Sequence, residues 1–266
     1  MSDIGWTGLA LSTLLVAVAI GLSVWRHLGL ESPIAWSAAR ALVQLLAVGL
    51  LLDVLLEPGV SYWWAWLWVG AMLVIAAWTV RRRSPEIAGI WRLALGAFAA
   101  SAMVTLGVLF GLGVFELDVR TIVPLAGLMI GNSLAATVLV SRRLVEEVRD
   151  KRDEVEARLA LGQSSTEAAR PYVRNALRTA LIPQIETTRA VGVIALPGAM
   201  TGLILAGVEP LDAVRVQAAV MYLVLGSVAT TTTVMVLGIR HRLFTRDHRL
   251  VTPTLAAPGS PSSSVR

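Results

Sequence analysis

Cysteine is absent from this chain of 266 residues. No disulfide can form, and no thiolate can hold a metal. Lysine is nearly absent: Lys151 is the only one, and Asp150 precedes it. A phosphate-binding loop needs Gly-Lys-Ser/Thr, so the chain does not hydrolyse ATP by that route. His27, His241 and His248 stand at or beyond the ends of apolar runs and make no His-x-x-x-His spacing. Charge is sparse, 15% of residues, against about 25% in soluble domains. Ion-coupled carriers bury a carboxylate near the bilayer midplane. The acid inside an apolar run here is Asp53, near the end of its run, which disfavours a proton-driven carrier. The clustered nucleophile, base or metal of a membrane hydrolase is missing. No catalytic residue, resident metal or cofactor is expected.

What remains is apolar. Hydrophobic residues make up 56% of the chain, and several uninterrupted runs reach the roughly 20 residues that cross a ~30 Å hydrocarbon core. Continuous rather than alternating runs exclude a β-barrel and imply helices. The expectation is an all-α, polytopic integral membrane protein with seven spans, at about 6–25, 34–56, 62–80, 93–115, 121–141, 191–208 and 211–238. The first run has no Ala-x-Ala cleavage site after it and is kept as a span. Arginines sit in 26–33, 81–92, 142–189 and after 239. The loops 57–61, 116–120 and 209–210 are poor in basic residues. This alternation puts the N terminus outside and the C terminus in the cytoplasm. The net charge of +5 therefore orients the chain and does not point to nucleic acid. The expected division is one permease domain over 1–249 and a disordered tail over 250–266, rich in Pro, Ser and Ala.

One long polar segment interrupts this pattern, from Arg142 to about 190. Opposite charges recur at i,i+4 (Arg142/Glu146, Arg143/Glu147, Glu147/Lys151, Arg149/Asp153, Arg152/Glu156, Glu154/Arg158), which supports a helix. Leu144, Val148, Val155 and Leu159 make a narrow apolar seam. The fifth span is expected to run on as one long helix to Gly162, a C-terminal stop. Ser164, three residues before Glu167, is a capping box for a second helix. That helix meets Pro171 and is expected to be short or kinked, with Pro183 ending the segment. Arg170, Arg174 and Arg178 share one face; Val173, Leu177 and Leu181 share the other. Two readings stay open: an amphipathic loop resting on lipid headgroups, or a docking arm for a soluble partner. For the second, Glu156-Ala157, Gly162 and the capped helix resemble the coupling loop of ABC permeases.

Two spans are interrupted. In the sixth, Pro197 and Gly198 bend the chain, and Gly198, Gly202 and Ala206 form a small-residue ridge. In the fifth, Gly127, Gly131 and Ala135 form another after Pro124, beside Asn132 and Ser133. Such ridges serve close helix packing, or the break frees carbonyls toward a polar path. Arg40 and Gln44 share a face of the second span, where Arg40 either snorkels to the interface or lines a pathway. Gln217 in the seventh span is open in the same way. Thr230 to Thr233 are expected to bond back to their own helix, and Glu209 and Asp212 to favour a helix N terminus.

From the second span to the seventh the chain resembles the FetB-type family of proposed iron-export ABC permeases, which includes plant permeases linked to aluminium tolerance. The carriers are Arg40-Ala-Leu-Val-Gln44-Leu, Met129-Ile-Gly131-Asn132-Ser133, Leu159-Ala-Leu-Gly162, the block Leu196-Pro197-Gly198-Ala199-Met200-Thr201-Gly202, and Pro210 with Gln217. Family members tend to carry Met at the position of Ala199 and Gln at that of Leu203. The resemblance implies a multi-pass permease subunit of the cell (inner) membrane. A separate ATP-binding cassette subunit would drive it from the hairpin. Glu156, Ala157, Gly162, Ser164, Glu167, Arg170, Arg174 and Arg178 are the coupling candidates. Arg40, Gln44, Asn132, Pro197, Gly198, Met200, Gly202 and Gln217 are the pathway candidates. A two-site ATPase asks for two arms, hence a homodimer. Iron or a related metal complex is the implied cargo, yet iron prefers His, carboxylate or thiolate. An organic substrate such as a nucleotide sugar fits these residues as well. An ATP-independent carrier or channel, or a scaffold without transport, are the rivals.

Overall fold

The structure, a computed structural model, describes residues 6–55, 61–194, 196–245, 247 and 249–250. The tail 251–266 and most of the 57–61 loop, both given expectations above, lie outside the described residues. Nine helices form among the described residues: α1 (Trp6–Trp25), α2 (Glu31–Leu55), α3 (Trp63–Arg83), α4 (Ile90–Gly111), α5 (Val119–Asp150), α6 (Arg152–Ala160), α7 (Ser165–Ala190), α8 (Gly198–Leu205) and α9 (Pro210–Leu243). Six are long and apolar enough to cross a membrane: α1, α2, α3, α4, α5 and α9. The sixth expected span, 191–208, is not a continuous helix. Among its described residues the only helical part is α8, eight residues long, or about 12 Å at 1.5 Å per residue.

The chain divides into two compact units, Met1–Trp64 and Ala65–Arg266. In the first, α1 and α2 form a helical hairpin. The Ser23 hydroxyl donates to the Glu31 carboxylate at 2.8 Å and accepts from the Leu30 amide at 3.1 Å. These bonds close the tight turn that His27 and Gly29 permit with positive φ. Arg40 and Gln44 are exposed on α2, as are most of its apolar side chains.

In the second unit α5 and α9 pack along each other with α4 against both. Phe98, Leu106, Ile122, Met129, Leu144, Met235 and Ile239 fill the space between them. Small hydroxyl residues meet across this packing. Ser133 Oγ donates to Ser227 Oγ at 3.1 Å, and Ser101 Oγ donates to the Ser227 carbonyl at 3.1 Å. Gly238 belongs to the same packing: a Cβ there would collide with Leu93 of α4. Thr230, Thr231 and Thr232 bond back to the carbonyls of Gly226, Ser227 and Val228, as expected of hydroxyls in apolar helices.

The two ends of this unit differ. At one end Asp118 caps α5, its carboxylate accepting from the Val119 amide at 2.6 Å, and Glu209 and Pro210 start α9. Glu209 makes no side-chain cap bond, while Asp212 stands in the first turn. At the other end Arg142 Nε donates to the Arg83 carbonyl at 2.8 Å, and Arg242 donates to the Ala88 carbonyl. The end of α3, the start of α4, the middle of α5 and the end of α9 are thereby tied together. All four carry arginine there.

Candidate functional site

The polar hairpin grows out of α5. Leu144, Val148 and Val155 are buried along its seam, and three of the six charge pairs form: Arg143–Glu147 at 3.0 Å, Arg152–Glu156 at 2.7 Å and Arg158–Glu154 at 2.8 Å. Arg142 is diverted to the Arg83 carbonyl. The helix does not run unbroken to Gly162. It stops at Lys151, whose φ of −107° and ψ of 27° separate α5 from α6. Gly162 does take the left-handed conformation (φ 87°) that ends α6. The hairpin tip presents Glu156, Ala157, Ala160 and Gly162 on its surface, with Leu161 83% exposed.

The capping box is present. Ser164 Oγ accepts from the Glu167 amide, and Glu167 Oε2 accepts from the Ser164 amide at 3.0 Å. These bonds to Ser164 hold the Glu167 carboxyl below the usual carboxylate range. The Arg158 hydrogen bond does the same for Glu154. Tyr172 is buried against this pair, and burial raises its phenol.

From that cap α7 runs to Ala190 without interruption, which corrects two expectations: the helix is not cut short at Pro171, and Pro183 does not end the segment. Pro171 and Pro183 each remove a backbone donor, leaving the carbonyls of Glu167 and Thr179 without an intrahelical partner. Packing offsets that cost. Ala168, Ala169, Tyr172, Ala176 and Ala180 are all buried, so the helix is held against α5 and α9. Its register on α5 is antiparallel. The Asn175 amide donates to the Glu147 carboxylate, Leu181 packs on Ala136, Val224 and Val228, and Thr187 shares a cleft with Asn132. The last three turns of α7 thus lie beside the apolar part of α5, not below it.

That cleft has a volume of about 230 Å³ and takes Asn132 and Leu139 from α5, Pro183, Gln184 and Thr187 from α7, and Val228 from α9. Asn132 Nδ2 donates to the Leu128 carbonyl at 2.8 Å, and Thr187 Oγ1 donates to the Pro183 carbonyl at 2.8 Å. Glu186 and Arg189 form an ion pair at 2.9 Å in the last turn of α7, both well exposed.

Beyond Ala190 the chain unwinds. Val191 is extended (φ −67°, ψ 137°) and Gly192 has φ 85°. Val193 and Ile194 are 91% and 84% exposed. Pro197 sits at the N-cap of α8 with an extended backbone, its carbonyl accepting from the Thr201 amide at 3.0 Å. Gly207 (φ 90°) ends α8 with the Val208 amide bonded to the Leu203 carbonyl at 3.0 Å. The short helix packs on α9 and buries none of its residues. Gly198, Gly202 and Gly131 have nothing near the place of a Cβ. These three positions are therefore not used for close packing among the described residues, whereas Gly127 of the α5 ridge faces Met72 of α3.

Of the sequence-derived pathway residues, Asn132 lines the cleft, while Pro197, Gly198, Met200 and Gly202 belong to the break and to α8. Gln217 is buried on α9 with its Oε1 unpartnered among the described residues, and it does not line the cleft. Arg40 and Gln44 stand in the other unit. Among the coupling residues, Ser164 and Glu167 are committed to the cap. Arg170, Arg174 and Arg178 are exposed, and none closes an ion pair among the described residues. Sequence reasoning missed Gln184, Glu186, Thr187 and Arg189. The available signal was the spacing of Ala169, Tyr172, Ala176 and Ala180, a helical face that runs through Pro171. No group of three or more His, Cys, Asp or Glu able to hold a metal occurs among the described residues.

The comparisons agree with this architecture. The family described as "Uncharacterised protein family (UPF0014)" matches residues 6–244. The rice protein "UPF0014 membrane protein STAR2" (Oryza sativa subsp. japonica) is 37% identical over 81% of this chain and 75% of its own length. The Escherichia coli K12 protein named "Probable iron export permease protein FetB" is 32% identical over 93% of this chain and 95% of its own. "Protein ALUMINUM SENSITIVE 3" of Arabidopsis thaliana is 29% identical over 91% and 89%. No solved structure matches the chain. With a family match covering nearly all of the chain and relatives aligned along most of their length, this multi-pass membrane protein belongs to the UPF0014 family.

Proposed function

We propose that the chain is the permease subunit of an ABC-type exporter, driven by a separate ATP-binding subunit docked on the α6–α7 hairpin. The observation that carries this reading is the continuity of α7. One helix of 26 residues, about 39 Å long, starts at the exposed hairpin and ends at an unwound segment beside the apolar part of α5. A push at the capped end reaches the break without a flexible joint. The hairpin tip, with exposed Leu161 between Ala157 and Gly162, has the form of a knob for a groove on a soluble partner, and the exposed Arg170, Arg174 and Arg178 follow along α7.

Counting the end of α7, the break and α8 as one discontinuous crossing gives seven crossings. The N terminus is then outside and the C terminus in the cytoplasm, within a single permease domain over 1–249. Discontinuous helices of this kind form substrate sites in other transporters, because unwound carbonyls and helix ends supply polar contacts inside the bilayer. Asn132, Gln184 and Thr187 make a face that is too polar for lipid, and Glu186 and Arg189 beside it are charged. A second copy of the chain covers this face and provides the second coupling arm of a homodimer. The small-residue ridges of α5 and α8 give that copy a close approach. The setting is the cell (inner) membrane.

The cargo is iron or a related metal carried as a complex. Amides and hydroxyls bind a chelate or an organic anion better than a bare metal ion. An organic substrate such as a nucleotide sugar is the second reading, favoured by the hydrogen-bonding lining of Asn132, Gln184 and Thr187. The test is co-expression with a candidate ATP-binding cassette protein from the same organism. A stable complex is expected, with ATPase activity that rises on adding the transported substrate and is lost when residues 156–178 are replaced by a Gly/Ser linker. A complex whose activity ignores that replacement overturns the coupling role. Transport by the purified chain alone, under a gradient, overturns the ABC reading.

A further inference from the structure

A second concave site, sharing no lining residue with the cleft, lies where α3 ends and α4 begins. It has a volume of about 790 Å³ and is lined by Arg81, Arg82 and Arg92, by Trp78 and Trp91, and by the turn residues Pro85 and Ile87 to Ile90. Its frame is fixed. Ile87 and Ile90 are buried anchors, the Ile90 amide bonds to the Ile87 carbonyl at 3.2 Å, and Gly89 turns the chain with φ 66°. From α9, Arg242 donates to the Ala88 carbonyl. The Arg82 guanidinium lies 3.8 Å over the Trp78 ring, a cation–π contact that fixes its plane. None of the three lining arginines closes an ion pair among the described residues. Glu86, in the same loop, is not part of the lining.

Arginines that only orient a membrane chain need no concavity between two tryptophans. We infer that this pocket binds the phosphate headgroup of an anionic phospholipid, with Arg81, Arg82 and Arg92 as the anion site and the two indoles at the level of the glycerol. Three cations with no internal counter-charge attract a phosphate, and guanidinium forks suit its oxygens. The apolar surface continues from the pocket along α3 through exposed Trp78, Ile75 and Val74, which gives the acyl chains a path that a free phosphate does not use. Basic pockets between helices at the membrane boundary recognise lipid headgroups in this way. The inference does not depend on the transport reading.

The full chain, purified in an uncharged detergent, is titrated with phosphatidylglycerol or phosphatidylcholine, and bound lipid is counted by native mass spectrometry. One phosphatidylglycerol per chain is expected, with no matching phosphatidylcholine. The double variant Arg81→Gln/Arg92→Gln is expected to weaken that binding about 30-fold, since each arginine near the surface is worth about a factor of five. Arg81→Lys/Arg92→Lys restores most of it. If the double glutamine variant does not remain monodisperse, Arg92→Gln alone is expected to cost about fivefold. Millimolar inorganic phosphate leaves the bound lipid in place. Equal retention of the two lipids, wild-type affinity in the glutamine variants, or displacement of the lipid by inorganic phosphate overturns the inference.

Discussion

The side-chain amide of Asn175 donates to the carboxylate of Glu147, joining the antiparallel helices α7 and α5 next to the apolar stretch. Glu147 is only 12% exposed and also receives Arg143 at 3.0 Å. It cannot easily replace a lost partner with water. Asn175→Ala is expected to cost about 1.5 kcal/mol, the range for a hydrogen bond to a charged group. Asn175→Asp costs more, because two carboxylates then face each other. Thermal melts of the detergent-solubilised chain check the order wild type, alanine, aspartate. A double-mutant cycle with Glu147→Gln should show the two sites coupled.

Much of this architecture is legible in the sequence, for a simple physical reason. A helix that must satisfy its own backbone in lipid announces itself by length and hydropathy, so α1, α2, α3, α4 and α9 fall within a few residues of expectation, and α5 begins where it should. The capping box at Ser164 and Glu167 and the stop at Gly162 are local devices and read equally well. The path of α7 is not local. Pro171 and Pro183 argue against a continuous helix in isolation, and only contact with α5 and α9 through Ala176 and Ala180 outweighs them. With Pro183 taken as an end, Gln184 and Thr187 fall into a cytoplasmic loop and their pairing with Asn132 is invisible. The resemblance points to the Pro197–Gly202 block, but not to α7, the continuous helix that precedes it.

The Ser133–Ser227 contact separates two contributions to the seam between α5 and α9. Hydrogen bonds between membrane helices average about 0.6 kcal/mol, so Ser227→Ala is expected to be mild. Ser101 bonds the backbone carbonyl of Ser227, and the alanine variant keeps that bond. Ser227→Leu instead forces a large side chain into a fully buried position, which costs about 1–3 kcal/mol. A melting temperature nearly unchanged in the alanine variant and clearly lowered in the leucine variant is the expected result. The reverse order would place the stability in the hydroxyl, against the packing account.

Acidification should fray α7 at its capped end. Glu167 is held below its ordinary pKa of 4.5 by the Ser164 bonds. A depressed carboxyl stabilises the folded form fully above the unfolded value and loses that contribution as pH falls through the lower folded value. Hydrogen exchange at the amides of 167 and 168 is therefore expected to stay slow from neutral pH to about 5 and to accelerate below about 4.5, beyond the intrinsic pH effect measured on an unstructured peptide. Ser164→Ala should remove most of this dependence and cost about 1 kcal/mol of local stability at neutral pH.

The backbone at Gly192 is a test of the break itself. Its φ of 85° is open to glycine and strained for other residues, and a Cβ there would meet no neighbour. Gly192→Ala therefore acts through conformation alone, at about 1–2 kcal/mol. If the break has to keep its unwound form for transport, substrate-stimulated ATPase of the reconstituted complex falls in Gly192→Ala while assembly with the ATP-binding subunit is unchanged. An alanine variant with normal stimulation would separate transport from this geometry.

The absence of cysteine offers the most direct check on where α7 ends. Any introduced thiol is the only one in the chain, and it reacts with a charged maleimide only where water lets it ionise. Thr187→Cys and Asn132→Cys line one cleft, so they should label together, more slowly than Arg174→Cys on the exposed face of the hairpin. Met103→Cys, on an apolar face of α4 and 76% exposed, should stay unlabelled in proteoliposomes because its surroundings are lipid. Thr187→Cys labelling as fast as Arg174→Cys, with Asn132→Cys inert, would return the end of α7 to the aqueous loop and break the link between hairpin and cleft. Slow, matched labelling of the pair that changes when the ATP-binding subunit is trapped with nucleotide would tie the cleft to the motor, because the two thiols share no element except through the packing of α7 on α5.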